Sequence, residues 1–298
     1  MKDYNTQKIE YPDLTEYLKR LKALAEYDFS NSSYDDIYNK FYDYALTIPL
    51  LNGKFNFEKF NGFKLYRVRI EKSISKYEDM NSIQTYSYPP SSLCSSNGRA
   101  NIKNKPVFYC TDHPYPAIKE CNVEVGDTGF LSVWEVSSSR DLAYTCCLPE
   151  VLPITNRWRE YGTHHHNFLI DRQRNEDSNL LKHKISLRKL ITDKFMNEEP
   201  PYSISSMLAN EYLYNSEIDI LIYPSAKTYQ DYTNIAIHPN VVNNRIKCSK
   251  ILKFKVASVE KEKVTFQFGL TGIVTSNDRI KWQKFKDQDG LALGVKKI

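Results

Sequence analysis

An alternating run after residue 63 constrains the fold of this 298-residue chain more than any other feature. Residues 64–70, KLYRVRI, place Arg67 and Arg69 on one side of an extended chain and Tyr66, Val68 and Ile70 on the other. This period of two predicts a β-strand. Other apolar or alternating runs predict strands at 107–110, 130–136, 218–223, 251–259 and 263–268, and the last two are close enough to form a hairpin.

Helical patterns separate these strands along the chain. Leucines recur at helical spacing across 12–28, and Ser33 is a suitable N-cap for a second helix over 33–50. Further helices are predicted at 114–122, 186–196 and 203–214. Separated strands and helices indicate an α+β fold, in which residues 1–60 form an N-terminal helical extension.

Composition limits the classes of function. Hydrophobic residues make up 41% of the chain and charged residues 26%, which is enough for a globular core. The net charge of +5 comes from lysines and arginines that are spread along the sequence. Such a charge suits an anionic ligand or an acidic protein partner, but it is too weak for a nucleic-acid footprint, so nucleic acid is not an expected partner.

The sequence favours a cytoplasmic protein without a membrane segment. No apolar run approaches the roughly 20 residues that a membrane-spanning helix needs, and the N-terminal residues are polar. The six cysteines lack CxxC spacing, so we expect reduced core residues rather than disulfides or zinc ligands. The adjacent His164, His165 and His166 cannot all face one ion, so we expect no metal site and place them in a solvated loop.

A loop, a strand and a helix between residues 98 and 120 carry the strongest chemical pattern. The loop GRAN contains Arg99 and Asn101, the strand ends near Tyr109, and the helix ends near Glu120. A guanidinium can clamp phosphate, and an aromatic ring can stack on a base or on nicotinamide. A carboxylate can face the positive charge that develops on a ribose. The chain has no GxGxxG motif and no P-loop, so the usual dinucleotide and nucleotide folds are not supported.

Two later segments follow in the chain, IYPSA at 222–226 and NIAI at 234–237. Over residues 62–245 the order of all these motifs, from the arginines of 64–70 onward, resembles that of the RES domain family, named for its Arg, Glu and Ser residues. The spacing between Glu120 and Ser225 is longer than in compact family members, so we expect an insertion around 153–185 that can cover or restrict the site. The resemblance implies an ADP-ribosyltransferase-like mixed sheet in residues 61–298. It also implies degradation of NAD as a substrate, with no cofactor, by cleavage between nicotinamide N1 and ribose C1′. Water or inorganic phosphate would be the acceptor. The resemblance further implies a toxin or defence effector, a class that is often neutralised by a partner antitoxin protein.

The resemblance also suggests a role for individual residues. The catalytic set is Glu120, Arg99, Tyr109 and Ser225, and the substrate-binding set is Arg67, Arg69, Asn101 and Asn234. The choice between Arg67 and Arg69 stays open because a strand places both on one face. Ser225 is expected to hydrogen-bond the nicotinamide ribose or the amide. Ala100 stands where the family usually has an aromatic residue, so we expect a different pocket wall at that point.

Two other functions would use the same residues. The first is transfer of ADP-ribose onto a protein or nucleic acid, which only analysis of the products separates from NAD degradation. The second is a non-catalytic domain that binds a nucleotide or a partner, with Ala100 as a sign of decay. Tight NAD binding without turnover would identify that second alternative.

Overall fold

A ten-stranded mixed sheet organises the computed structural model, which describes residues 10–172, 178–260, 263–275 and 277–286. The strands are β1 (Asn52–Phe55), β2 (Lys64–Ile70), β3 (Phe108–Thr111), β4 (Thr128–Val136), β5 (Leu142–Cys146), β6 (Ile220–Pro224), β7 (Thr233–Ile237), β8 (Ile246–Val259), β9 (Val264–Val274) and β10 (Ile280–Lys284). Their order across the sheet is β1-β5-β6-β7-β3-β2-β4-β8-β9-β10. Strands β5 and β6 run parallel, and the other neighbours run antiparallel. Together with the helices, this sheet confirms the predicted α+β class.

The helices only partly match the bounds that the sequence predicts. They are α1 (Leu14–Glu26), α2 (Tyr34–Ala45), α3 (Phe57–Phe60), α4 (Pro114–Glu120), α5 (Arg159–Arg172), α6 (Ser178–Asn197), α7 (Ser203–Leu213) and α8 (Pro239–Arg245). The predicted cap Ser33 is confirmed, and it forms a capping box with Asp36. Helix α2 ends before the predicted residue 50 because Leu46 adopts a left-handed conformation, with φ of 66°. Within the described ranges, no helix combines the length and the hydropathy that crossing a membrane requires.

Four helices share a hydrophobic core with the centre of the sheet. Phe41 of α2, Phe195 of α6 and Met207 of α7 are buried in one cluster with Tyr223 of β6, and α1 contributes to the same cluster. Strand β1 pairs with β5, so part of the segment 1–60 also belongs to the sheet. The division of the chain at residue 60 stays a prediction.

The three adjacent histidines lie in a helix, so the expectation of a solvated loop is wrong. His164, His165 and His166 belong to α5, and the last two are buried. The ring of His165 stacks on Tyr144 of β5 at 5.7 Å between centroids. This packing against the sheet stabilises α5 as a helix. The polar sequence of the segment gives no sign of that burial, so it was not predicted.

Strands β2 and β3 diverge at the centre of the sheet. Their pairing contains one residue pair, Tyr66 with Thr111, whereas β2 pairs with β4 along its whole length. The divergence leaves room between the strands for a side chain, and it opens beside α4. The predicted functional residues meet at this opening.

Candidate active site

A cavity of about 840 Å³ lies over the diverging strands. Its lining comes from β2, β3, β6 and β7, the end of α4, the loop at 98–101 and a segment at 195–202 that includes the end of α6. No described residue between 153 and 185 lines it. The end of α6 and the residues after it reach the cavity, and the insertion around 153–185 stays a prediction.

Glu120 is the last residue of α4 and presents its carboxylate to the cavity. Its Oε1 accepts hydrogen bonds from Ser225 Oγ at 2.7 Å and from Asn234 Nδ2 at 3.0 Å. Within the described chain no hydrogen-bond donor contacts Oε2. Two neutral donors thus fix one oxygen of the carboxylate while the other remains available to a ligand.

Ser225 lies behind Glu120 and does not line the cavity. Its side chain is fully buried, and its hydroxyl donates to the carboxylate. The geometry therefore does not favour the expected direct contact of Ser225 with a substrate. The serine orients the carboxylate because the turn after β6 points its hydroxyl at the end of α4.

Tyr109 holds the GRAN loop and forms part of the cavity wall. Its hydroxyl accepts from the Ala100 backbone N–H at 2.7 Å and donates to Asn101 Oδ1 at 2.9 Å. Gly98 completes the turn, and a Cβ at that position would lie 2.7 Å from the Tyr109 hydroxyl. Burial raises the pKa of Tyr109, so the hydroxyl stays protonated. Tyr109 therefore both closes the GRAN loop and supplies an aromatic ring to the cavity wall.

Two loop residues take structural positions. Asn101 is buried behind Tyr109 and donates to the backbone carbonyls of Ser96 and Ile102. Ala100 is also buried, in the core cluster shared by α2 and α7, and does not line the cavity. The expected change of pocket wall at Ala100 is therefore wrong, because its side chain faces the core.

Arg67 occupies the gap between β2 and β3. Its Nη1 donates to the backbone carbonyl of Tyr109 at 2.9 Å, and its Nε is buried without a hydrogen-bond partner. No carboxylate among the described residues forms an ion pair with it. Burial, followed by the nearby Arg69 charge, lowers the pKa of Arg67 to about 10, which leaves it protonated at neutral pH. A partly buried, unpaired guanidinium beside a cavity favours an anionic ligand.

Arg69 is occupied elsewhere. It forms a salt bridge with Glu78 and donates to the backbone carbonyls of Ser73 and Thr85. It does not line the cavity. Of the two arginines that the sequence left open, the geometry favours Arg67 as the ligand-binding residue.

Arg99 and Lys227 add positive charge to the rim. Arg99 Nη1 donates to the Lys194 carbonyl at the end of α6, and its guanidinium lies 5.0 Å from the centre of the Tyr202 ring. Lys227 Nζ donates to the Glu120 carbonyl at 3.2 Å and to Asn122 Oδ1 at 2.7 Å. Neither side chain forms an ion pair with a carboxylate in the part of the chain that the structure describes.

The sequence reasoning missed several lining residues. Lys227, Tyr202 and Glu199 line the cavity, yet none of them stands in a motif that identified it. Lys227 is close to Ser225 in sequence, which is the one signal that pointed toward it. Across residues 10–172, 178–260, 263–275 and 277–286 no group of three or more potential metal ligands occurs.

Comparisons of the chain with protein-family models, with curated proteins and with solved structures found no match. The geometry of the cavity therefore carries the functional argument.

Proposed function

We propose that this chain cleaves the bond between nicotinamide and ribose in NAD, with water or inorganic phosphate as the acceptor. One observation carries the proposal. Glu120, fixed at one oxygen by Ser225 and Asn234, shares a cavity with Arg67 and Arg99, two guanidinium groups without carboxylate partners. The ordered resemblance to the RES domain family supplies the identity of the substrate.

The two arginines provide for the diphosphate of NAD. Arg67 is rigidly held between strands, and guanidinium groups bind phosphate oxygens at fixed geometry. Arg99 sits at the rim, where its contact with Tyr202 leaves the cation near the opening. The cavity volume of about 840 Å³ falls within the range of about 300–1,000 Å³ that is usual for ligand pockets.

The reaction requires stabilisation of positive charge on the ribose. The C1′–N1 bond breaks with its electron pair moving to nicotinamide, which leaves as a neutral molecule. The ribose then resembles an oxocarbenium ion, and the free Oε2 of Glu120 is available to stabilise it or to hold the ribose hydroxyls. With water as the acceptor, its oxygen bonds to C1′ and one of its protons passes to solvent. With phosphate as the acceptor, a negatively charged oxygen bonds to C1′ and no proton needs to leave it. The ring of Tyr109 offers a flat surface for the nicotinamide cation.

The test is NAD consumption by wild-type protein and by Glu120→Gln, with and without phosphate, resolved by mass-detected chromatography. The amide keeps an acceptor for Ser225 but removes the negative charge, so nicotinamide release should fall by about 100-fold or more. Glu124→Gln, an exposed carboxylate near the end of α4 and outside the cavity, is the matched control and should match wild type. Equal rates for wild type and Glu120→Gln would refute the proposal.

The products name the acceptor and separate the alternatives. ADP-ribose indicates water, and ADP-ribose-1″-phosphate indicates phosphate. ADP-ribose attached to protein or nucleic acid would indicate a transferase instead of a hydrolase or phosphorylase. NAD binding without turnover would indicate a non-catalytic binding domain. An antitoxin-like partner, which the resemblance adds to the proposal, would restrain NAD consumption by covering this cavity.

A further inference from the structure

A second cavity, of about 390 Å³, lies beside α6 on the side of the residues that follow β5. Its walls are mainly apolar, with Leu148, Ile185 and Met196 among them. Met196 also lines the candidate active site, so the end of α6 separates the two cavities. Nothing in the NAD-cleaving proposal uses this second space.

A buried cation lies in its wall. The side chain of Arg188 is 8% exposed, and its Nη2 donates to the Leu148 carbonyl at 3.0 Å. The other N–H groups of this guanidinium have no hydrogen-bond acceptor in the described part of the chain. Arg188 also forms no ion pair there. Because a buried charge is costly without a partner, this arrangement favours an anion in the cavity.

The acidic residues at the rim are engaged by other groups. Glu150 contacts His166 Nε2 at 3.3 Å, and its side chain is 52% exposed. Asp193 accepts a hydrogen bond from Asn197 at 2.7 Å and is exposed. Neither carboxylate reaches Arg188 within ion-pair distance, so the wall of the cavity keeps an unpaired positive charge.

We propose that this cavity binds a small carboxylate with an apolar body. A carboxylate matches the planar donors of Arg188 at two points. Leu148, Ile185 and Met196 supply the contacts for a hydrocarbon or aromatic body, which inorganic phosphate lacks. A mainly apolar pocket with a few convergent polar groups is the usual form of a small-molecule site.

Calorimetry with benzoate as the probe tests the site, and benzyl alcohol serves as its uncharged analogue. Wild-type protein should bind benzoate at millimolar concentration and bind benzyl alcohol about tenfold or more weakly, because the charged hydrogen bonds are lost. Arg188→Met should weaken benzoate binding by a similar factor. Arg20→Met removes a half-buried arginine of α1 that lines neither cavity, and it should leave benzoate binding unchanged.

A second variant keeps the test decisive if Arg188→Met does not fold. Ile185→Trp retains the guanidinium but fills the space, so it should abolish benzoate binding. Four results would overturn the proposal: no benzoate binding to wild type, equal binding of benzyl alcohol, full benzoate binding by a folded Arg188→Met, or benzoate binding by a folded Ile185→Trp. Binding of inorganic phosphate to this cavity as strong as the binding of benzoate would also overturn the proposal. None of these measurements depends on NAD turnover.

Discussion

Replacing Ser225 with alanine tests how the carboxylate is held. The serine is fully buried, and its hydroxyl donates to Glu120 Oε1 at 2.7 Å. Ser225→Ala removes one of the two donors on that oxygen and leaves Asn234 Nδ2 at 3.0 Å. A hydrogen bond to a charged group contributes about 1.5–3 kcal/mol, so kcat/KM for NAD should fall by about 10- to 100-fold.

The assay is initial-rate nicotinamide release, read beside thermal denaturation. Ser186→Ala is a suitable control because its hydroxyl donates to the Lys182 carbonyl on α6, away from Glu120. Activity of Ser225→Ala equal to wild type would refute the positioning argument. A loss as complete as that of Glu120→Gln, together with ADP-ribose bound covalently to the wild-type serine, would instead make Ser225 the nucleophile.

Three further variants test the cavity wall. Arg67→Met should raise the Kd for NAD by about 10- to 100-fold in calorimetry, because the unpaired guanidinium no longer contacts phosphate. Tyr109→Phe should lower the free energy of unfolding by about 1–3 kcal/mol in urea, because the hydroxyl contacts both Ala100 and Asn101. Gly98→Ala should lower the free energy of unfolding by about 1–3 kcal/mol in the same assay, since its Cβ would lie 2.7 Å from the Tyr109 hydroxyl.

Each variant has a control and a result that contradicts it. Arg20→Met should bind NAD as wild type does. An unchanged Kd for NAD in Arg67→Met would contradict a phosphate-binding role for Arg67. Tyr77, which is 86% exposed, provides Tyr77→Phe as a control with unchanged stability. Gly98→Ala combined with Tyr109→Phe should destabilise less than the sum of the single variants, because the two changes share one contact. Strict additivity would contradict that packing argument.

The sequence predicted strands best where alternation was long. The run 64–70 coincides with β2, and the helix pattern at 203–214 with α7. Strands β1 and β5 were missed for a physical reason. β1 contains four residues, and β5 is buried at nearly every position, so neither shows an alternating pattern.

Proximity within the candidate site was predictable, but the direct partners of each side chain were not. The motif order indicated that Glu120, Ser225 and Asn234 belong together, and the structure does bring them into contact. It could not indicate that Ser225 would lie behind the carboxylate. That arrangement depends on how the turn after β6 meets the end of α4, and sequence spacing does not contain this tertiary relation.

The choice between Arg67 and Arg69 shows where residue patterns lose their power. Alternation places both on one face of β2, so burial and charge cannot distinguish them in the sequence. Two tertiary features do. The one-residue pairing of β2 with β3 gives Arg67 a gap to enter, and Glu78 neutralises Arg69. Strand β2 therefore carries one unpaired guanidinium because of where the strands diverge and where one glutamate lies. Because Glu78 lies outside the cavity, Glu78→Gln should lower the free energy of unfolding without changing the affinity for NAD. Urea denaturation would measure the stability and calorimetry the affinity.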